Sequence, residues 1–171
     1  MGIFYIRKDV VMEEKKNLMT KEGLKKLEDE LQDLKLVQRP AIAKKIGEAR
    51  EQGDLSENAE YDAAKDEQGK IEDRIAEIEE ILKHAVVADD DDGSGKINIG
   101  YTVKLLDVEL GEEEEFDIVG SNEVDILNGR MSNESPVGAA VIGHEPGETV
   151  TVETEAGSFQ YKILEAHRTN N

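Results

Sequence analysis

Two acidic side chains, Asp54 and Glu57, stand three residues apart in the run Gly53-Asp54-Leu55-Ser56-Glu57-Asn58-Ala59-Glu60-Tyr61. Carboxylates that close can share one hard cation. Mg²⁺ is commonly held by one or two protein carboxylates, keeps several waters, and takes its other ligands from a substrate or a second protein. An Asp/Glu pair alone is therefore an incomplete metal site whose missing ligands must come from a partner. The pair also has a plainer reading, because acids near a helix N-terminus are favoured by capping and by the macrodipole. Leu55 speaks for a contact, since a large apolar residue at a solvated tip has no core to enter. Just behind lie Lys44, Lys45, Arg50 and Lys65, a cationic set able to meet a single nucleic-acid strand end. Their bland reading is a solvated face, with Lys44/Glu48 and Tyr61/Lys65 as ordinary i,i+4 pairs.

Other chemistries fail on residue type or spacing. Asp90-Asp91-Asp92-Gly93 invites a calcium-loop reading with Gly93 at the sixth position, but the first and twelfth positions are then Ala88 and Ile99, which offer no side-chain oxygen. His84, His144 and His167 stand far apart, and with no Cys there is no thiolate catalysis, disulfide or Cys-ligated zinc. No glycine-rich phosphate loop follows a strand.

The elements that must position Asp54 and Glu57 read as one long arm. From Thr20, an N-cap, leucines fall at Leu24, Leu27, Leu31 and Leu34, the three-four spacing of a coiled-coil seam. The apolar set resumes in a shifted phase at Ile42, Ile46 and Ala49, which predicts a kink or stutter near Arg39-Pro40. Gly53 breaks the pattern, and Ser56 reads as the start of a second helix with a seam at Tyr61, Ala64, Gln68, Ile71, Ile75, Ile78 and Leu82. Two helices joined by so few residues run antiparallel, each covering the other's stripe. A first helix of about 30 residues spans roughly 45 Å, so the turn at Gly53 to Ser56 projects into solvent or into a partner.

The second half changes character after Asp89-Asp90-Asp91-Asp92-Gly93-Ser94-Gly95. Strands are predicted at Tyr101–Leu106, Glu115–Val119, Thr149–Glu153 and Ser158–Leu164, with a short helix from Pro136 to Ile142. The expected organisation is an N-terminal extension (1–17), a helical hairpin with an acidic tip (18–88), an acidic linker (89–95) and a small α+β domain on an antiparallel sheet (96–171). Among 171 residues, 21 are Lys or Arg and 40 are Asp or Glu, a net charge of −19 that rules against a broad basic face for duplex DNA. Residues 85–171 carry 5 basic and 19 acidic side chains against 16 and 21 in residues 1–84, so the hairpin is the half able to meet an anion. No apolar window is long enough to span a membrane, and the absence of Cys suits a reducing compartment. A cytoplasmic protein is expected.

The residues resemble the bacterial Gre transcript-cleavage factors, and the GreA type within that family, over roughly residues 12–168. Met19-Thr20-Lys21-Glu22-Gly23-Leu24 is similar to the family's opening, Glu48-Ala49-Arg50 with Gly53 to Tyr61 to its tip signature, and Ser132-Asn133-Glu134-Ser135-Pro136-Val137-Gly138 to its C-domain motif. The resemblance implies a coiled-coil hairpin followed by an FKBP-like domain, and a monomeric elongation factor that is not itself an enzyme. It implies that the hairpin enters the secondary channel of bacterial RNA polymerase and meets the 3′ end of backtracked RNA. Asp54 and Glu57 would then hold a Mg²⁺ shared with the polymerase, with no cofactor in the free protein. Arg50 and Lys65 would face the RNA, Gly53, Leu55, Ser56, Asn58 and Tyr61 would shape the tip, and Ser135 with Pro136 would dock on the channel rim. Competing readings are a channel-binding inhibitor without cleavage stimulation, a peptidyl-prolyl isomerase using Tyr101, Phe116, Phe159 and Tyr161, and a structural coiled coil.

Overall fold

The computed structural model describes residues 16–53, 58–88 and 93–169. The expected N-terminal extension through Lys15 (1–15), the tip residues Asp54, Leu55, Ser56 and Glu57, and the tetra-aspartate Asp89 to Asp92 lie outside the described residues.

The arm rises through α1 (Lys21–Asp33), a π-helical turn (Leu34–Gln38) and α2 (Arg39–Glu51), and returns as α3 (Ala59–Lys83). Thr20 starts it as expected, its hydroxyl accepting the backbone N–H of Gly23 at 3.0 Å. The seam is buried as the spacing predicts. Leu27, Leu34, Ile42 and Ile46 face Ala64, Ile71, Ile75 and Ile78, with Leu24, Leu31, Tyr61 and Leu82 packed around them.

The predicted stutter takes a definite form. A π-turn accommodates one extra residue, and one residue is the offset needed to carry the seam from Leu34 to Ile42 and Ile46. The wider turn ends with the Arg39 N–H on the Leu34 carbonyl, one residue before Pro40, which has no N–H of its own to place. Two bidentate pairs fix the register from outside: Arg74 on Glu30 at 2.6 and 2.9 Å, and Arg39 on Glu72 at 2.7 and 2.6 Å.

At its base the hairpin is closed by two short parallel strands, β1 (Asn17–Met19) and β2 (Ala85–Val87), which the sequence pattern does not announce. Met19 is fully buried there in the hairpin core.

The C-terminal half is a five-stranded sheet in the order β5-β4-β3-β7-β6, made of β3 (Tyr101–Asp107), β4 (Glu113–Val119), β5 (Arg130–Ser132), β6 (Thr149–Thr154) and β7 (Gly157–Arg168). The four predicted strands and the short helix, α4 (Pro136–Val141), are all present. The sheet is antiparallel except at one edge, where β5 pairs parallel to β4. The reason is the connection: two short 3₁₀ turns, Ser121–Glu123 and Ile126–Asn128, carry the chain back past β4 before it pairs again. Its core of Ile97, Val103, Leu105, Ile118, Val141 and Ile163 is separate from the seam of the arm. Tyr101, Phe116 and Tyr161 pack into that core, which leaves them as strand residues rather than the lining of an isomerase pocket.

Candidate functional site at the hairpin tip

Both helix ends at the tip converge on one side chain. The N-cap of α3 is Asn58 and not Ser56, two residues further along than the sequence pattern suggested. Its Oδ1 accepts the backbone N–H groups of Glu60 and Tyr61, each at 3.1 Å, satisfying two donors that a helix start leaves open. Its Nδ2 donates to the carbonyl oxygen of Ala49 at 2.8 Å, in the last turn of α2. One amide thus closes the start of one helix and the end of the other. Ser, Asp and Asn all cap well, but the amide alone has its donor on a different atom from the capping acceptor, so that Nδ2 can reach across the gap while Oδ1 caps, and that distinction is invisible to a capping rule.

α2 leaves through Gln52 and Gly53, whose φ of 129° is a conformation that only glycine adopts without strain. Gly53 and Asn58 thus fix the two described helix ends, between which Asp54, Leu55, Ser56 and Glu57 stand in the sequence. Below these ends, Ala49 and Ala64 are buried between the helices, small residues that let the two backbones approach.

The cationic set is distributed differently from the sequence expectation. The Arg50 guanidinium lies 5.8 Å from the centre of the Tyr61 ring, a cation–π contact that joins α2 to α3 just below the tip. Lys65 donates to Gln68 at 2.7 Å instead of pairing with Tyr61. Lys44 pairs with Glu48 at 3.7 Å as expected, and Lys45 reaches across to Glu67 at 3.1 Å. A groove of about 300 Å³ between the helices below the tip is lined by Lys45, Glu48, Gln52, Glu60 and Glu67. A larger cavity of about 550 Å³ lies elsewhere, at the junction of arm and sheet, with Lys21, Asp117, Arg130 and Arg168 on its walls. Among the described residues no three His, Asp or Glu side chains converge as a metal-binding group.

Ser135 and Pro136 belong to the C-terminal domain, where α4 packs on β6. The Ser135 hydroxyl accepts the Gly138 N–H at 3.0 Å and donates to the Ser132 carbonyl at 2.7 Å, so it caps α4 and pins the loop before it. Pro136 occupies the first helical turn, where its missing N–H costs nothing, and stays exposed.

Comparison with known proteins follows this division. Residues 17–87 match the model described as "Transcription elongation factor, N-terminal", and residues 92–168 the one described as "Transcription elongation factor, GreA/GreB, C-term". The chain is 56% identical to transcription elongation factor GreA of Lachnoclostridium phytofermentans, over 93% of this chain and 100% of that one. It is 52% identical to the protein of the same name from Caldanaerobacter subterraneus, over 88% and 97%. Among solved structures, Gfh1 of Thermus thermophilus is 29% identical over 90% of this chain and 99% of its own, with a TM-score of 0.41. With family models covering both halves and relatives above half identity along nearly the whole length, the chain belongs to the GreA/GreB family of transcription elongation factors.

Proposed function

We propose that this protein binds bacterial RNA polymerase, places its hairpin in the secondary channel, and stimulates the polymerase's own cleavage of backtracked RNA 3′ ends. The observation that carries the reading is the Asn58 bridge, which ties the ends of α2 and α3 together on either side, in the sequence, of Asp54 and Glu57. A bridge of this kind fixes the two helix ends relative to one another, so that the arm delivers its end to a defined place, which is what a lent ligand set requires.

Asp54 and Glu57 offer hard oxygen donors, and these fit Mg²⁺ while being too few to hold it alone. A Mg²⁺ bound between this pair and the polymerase would activate a water for in-line attack on the RNA phosphodiester. The chain's own part is to bring the carboxylates to the polymerase. Arg50, braced on Tyr61, carries a positive charge below the loop where an RNA phosphate would pass. Lys65 adds a second charge on the neighbouring turn of α3. On this reading the protein is no nuclease by itself, acts as a cytoplasmic monomer, and docks the polymerase rim through the exposed Pro136 beside Ser135.

The test is RNA release from stalled, backtracked polymerase complexes in Mg²⁺. Wild type is expected to release 3′ fragments, and the Asp54→Asn/Glu57→Gln double variant to lose this activity by more than about 10-fold, since even the outer-shell partners of a bound metal contribute roughly 10- to 100-fold. Free protein on RNA alone should release nothing. Equal release by wild type and double variant would overturn the proposal and leave a docking role.

A further inference from the structure

We infer that Glu123 is a positioning residue: it sets the angle at which the helical arm leaves the C-terminal sheet, and thereby where the tip lands. Glu123 closes the 3₁₀ turn Ser121–Glu123, a hundred residues from the arm in sequence, and its side chain is only 5% exposed. Its Oε2 accepts the backbone N–H of Thr20 at 2.8 Å, and its Oε1 accepts the Thr20 hydroxyl. Thr20 is the residue on which α1 begins. The same carboxylate also accepts the Gly120 N–H at 3.3 Å and faces the Arg130 guanidinium at 3.5 Å. One buried carboxylate therefore holds the first residue of the arm, the turn it stands on, and the adjoining edge strand β5.

Two glycines make this approach possible. A Cβ on Gly23, in the first turn of α1, would lie 2.1 Å from Glu123 Oε1, and a Cβ on Gly120 would lie 2.0 Å from the Leu18 carbonyl oxygen. No side chain fits at either place. The contact is electrostatically apt, because a carboxylate at the N-terminal end of a long helix meets its positive pole and its open N–H groups.

Its importance comes from leverage. The arm from Lys21 to Glu51 has about 31 residues, roughly 46 Å at 1.5 Å per residue. A tilt of about 10° at Thr20 would carry the tip roughly 8 Å sideways, while lent ligands must land within about half an ångström of a productive position. The β1–β2 pair closes the hairpin on itself, and the sheet has its own core, so loss of Glu123 frees the angle between two units without unfolding either. The positional consequence rests on the cleavage-stimulating reading proposed above; the latch itself does not.

The chain contains no Cys, so single cysteines can be introduced for spin labels at Asp66 on α3 and Glu155 beyond β6. Pulsed dipolar spectroscopy on the full chain is expected to give one narrow distance distribution for wild type. Glu123→Ala should broaden it and shift its mean by 5 Å or more, and Glu123→Gln, which keeps shape but loses charge, by less. In the polymerase assay Glu123→Ala should bind within about threefold of wild type yet release RNA at least tenfold more slowly. A distribution unchanged in both variants overturns the latch. A broadened distribution with undiminished cleavage overturns the positioning role. If wild type itself fails to stimulate cleavage, the proposed function falls, and the distance measurement still decides the latch. Should Glu123→Ala not fold, Glu123→Gln and Gly23→Ala carry the same comparison.

Discussion

At the residue scale, Asn58 is the side chain on which the tip depends. Replacing a helix N-cap by Ala costs about 1 kcal/mol, and here the substitution also leaves the Ala49 carbonyl without its donor. Asn58→Ala is expected to lower stability by about 1–2 kcal/mol in urea unfolding. Asn58→Asp keeps the capping acceptor and loses only the bond to Ala49, so it should cost less than half as much as Asn58→Ala. An Asn58→Asp variant as stable as wild type would show that the amide does not bridge the helices. Arg50 shows a related economy of position: its contact with Tyr61 holds the guanidinium at the tip while leaving its N–H groups to meet a phosphate.

At the element scale, the π-turn and the ion pairs decide how the arm stays in register. Deleting Val37, an exposed residue of the π-turn, together with Pro40→Ala removes the extra residue and the ring that an α-turn would not tolerate. The melting temperature should then stay within a few degrees of wild type. Deleting Lys44 instead rotates Ile46 and Ala49 off the seam by about 100° and should cost several kcal/mol. If both deletions behave alike, the seam phase does not dictate the π-turn. The pairs titrate in a predictable direction. The hydrogen bond from Arg74 holds the Glu30 carboxyl below the ordinary value of 4.5, and that from Arg39 does the same for Glu72. As pH falls, the unfolded chain takes up these protons before the folded one, so the stabilisation is full above the ordinary value and is lost as pH drops through the lowered values. The melting difference between wild type and Glu30→Gln/Glu72→Gln should therefore be constant well above the ordinary value of 4.5 and shrink steadily as pH falls below it. A difference that does not shrink on acidification until the protein unfolds would mean the pairs act through packing.

At the scale of the whole molecule, charge and leverage dominate. A net −19 over 171 residues, concentrated in the C-terminal half, makes self-repulsion a standing cost of the compact state. Raising monovalent salt from about 20 to 300 mM shortens the Debye length from about 20 Å to below 8 Å and should raise the melting temperature. A fall would show instead that the arm's ion pairs outweigh the repulsion. The hairpin and the sheet domain answer to different forces, one to a seam of aliphatic knobs and the other to a β core, and they meet at the Glu123 contact.

Much of this was written in local spacing. The three-four seam, the Thr20 cap, the stutter before Pro40, the alternation of the C-terminal strands and the tip signature each depend on residues a few positions apart, where backbone geometry alone dictates who is neighbour to whom. The sequence by itself therefore determined a long acidic-tipped arm on a small sheet domain, and through its motifs the family. Tertiary structure alone decided that the stutter is a π-turn, that Asn58 and not Ser56 starts α3, that β1 pairs with β2, that β5 enters the sheet parallel, and that Glu123 seizes the foot of the arm. The last of these joins Thr20 and Glu123, 103 positions apart, and the β1–β2 pair joins residues nearly seventy apart. No periodicity encodes such a partner, because its identity is fixed only when the packing of two separate cores has brought both surfaces to the same place.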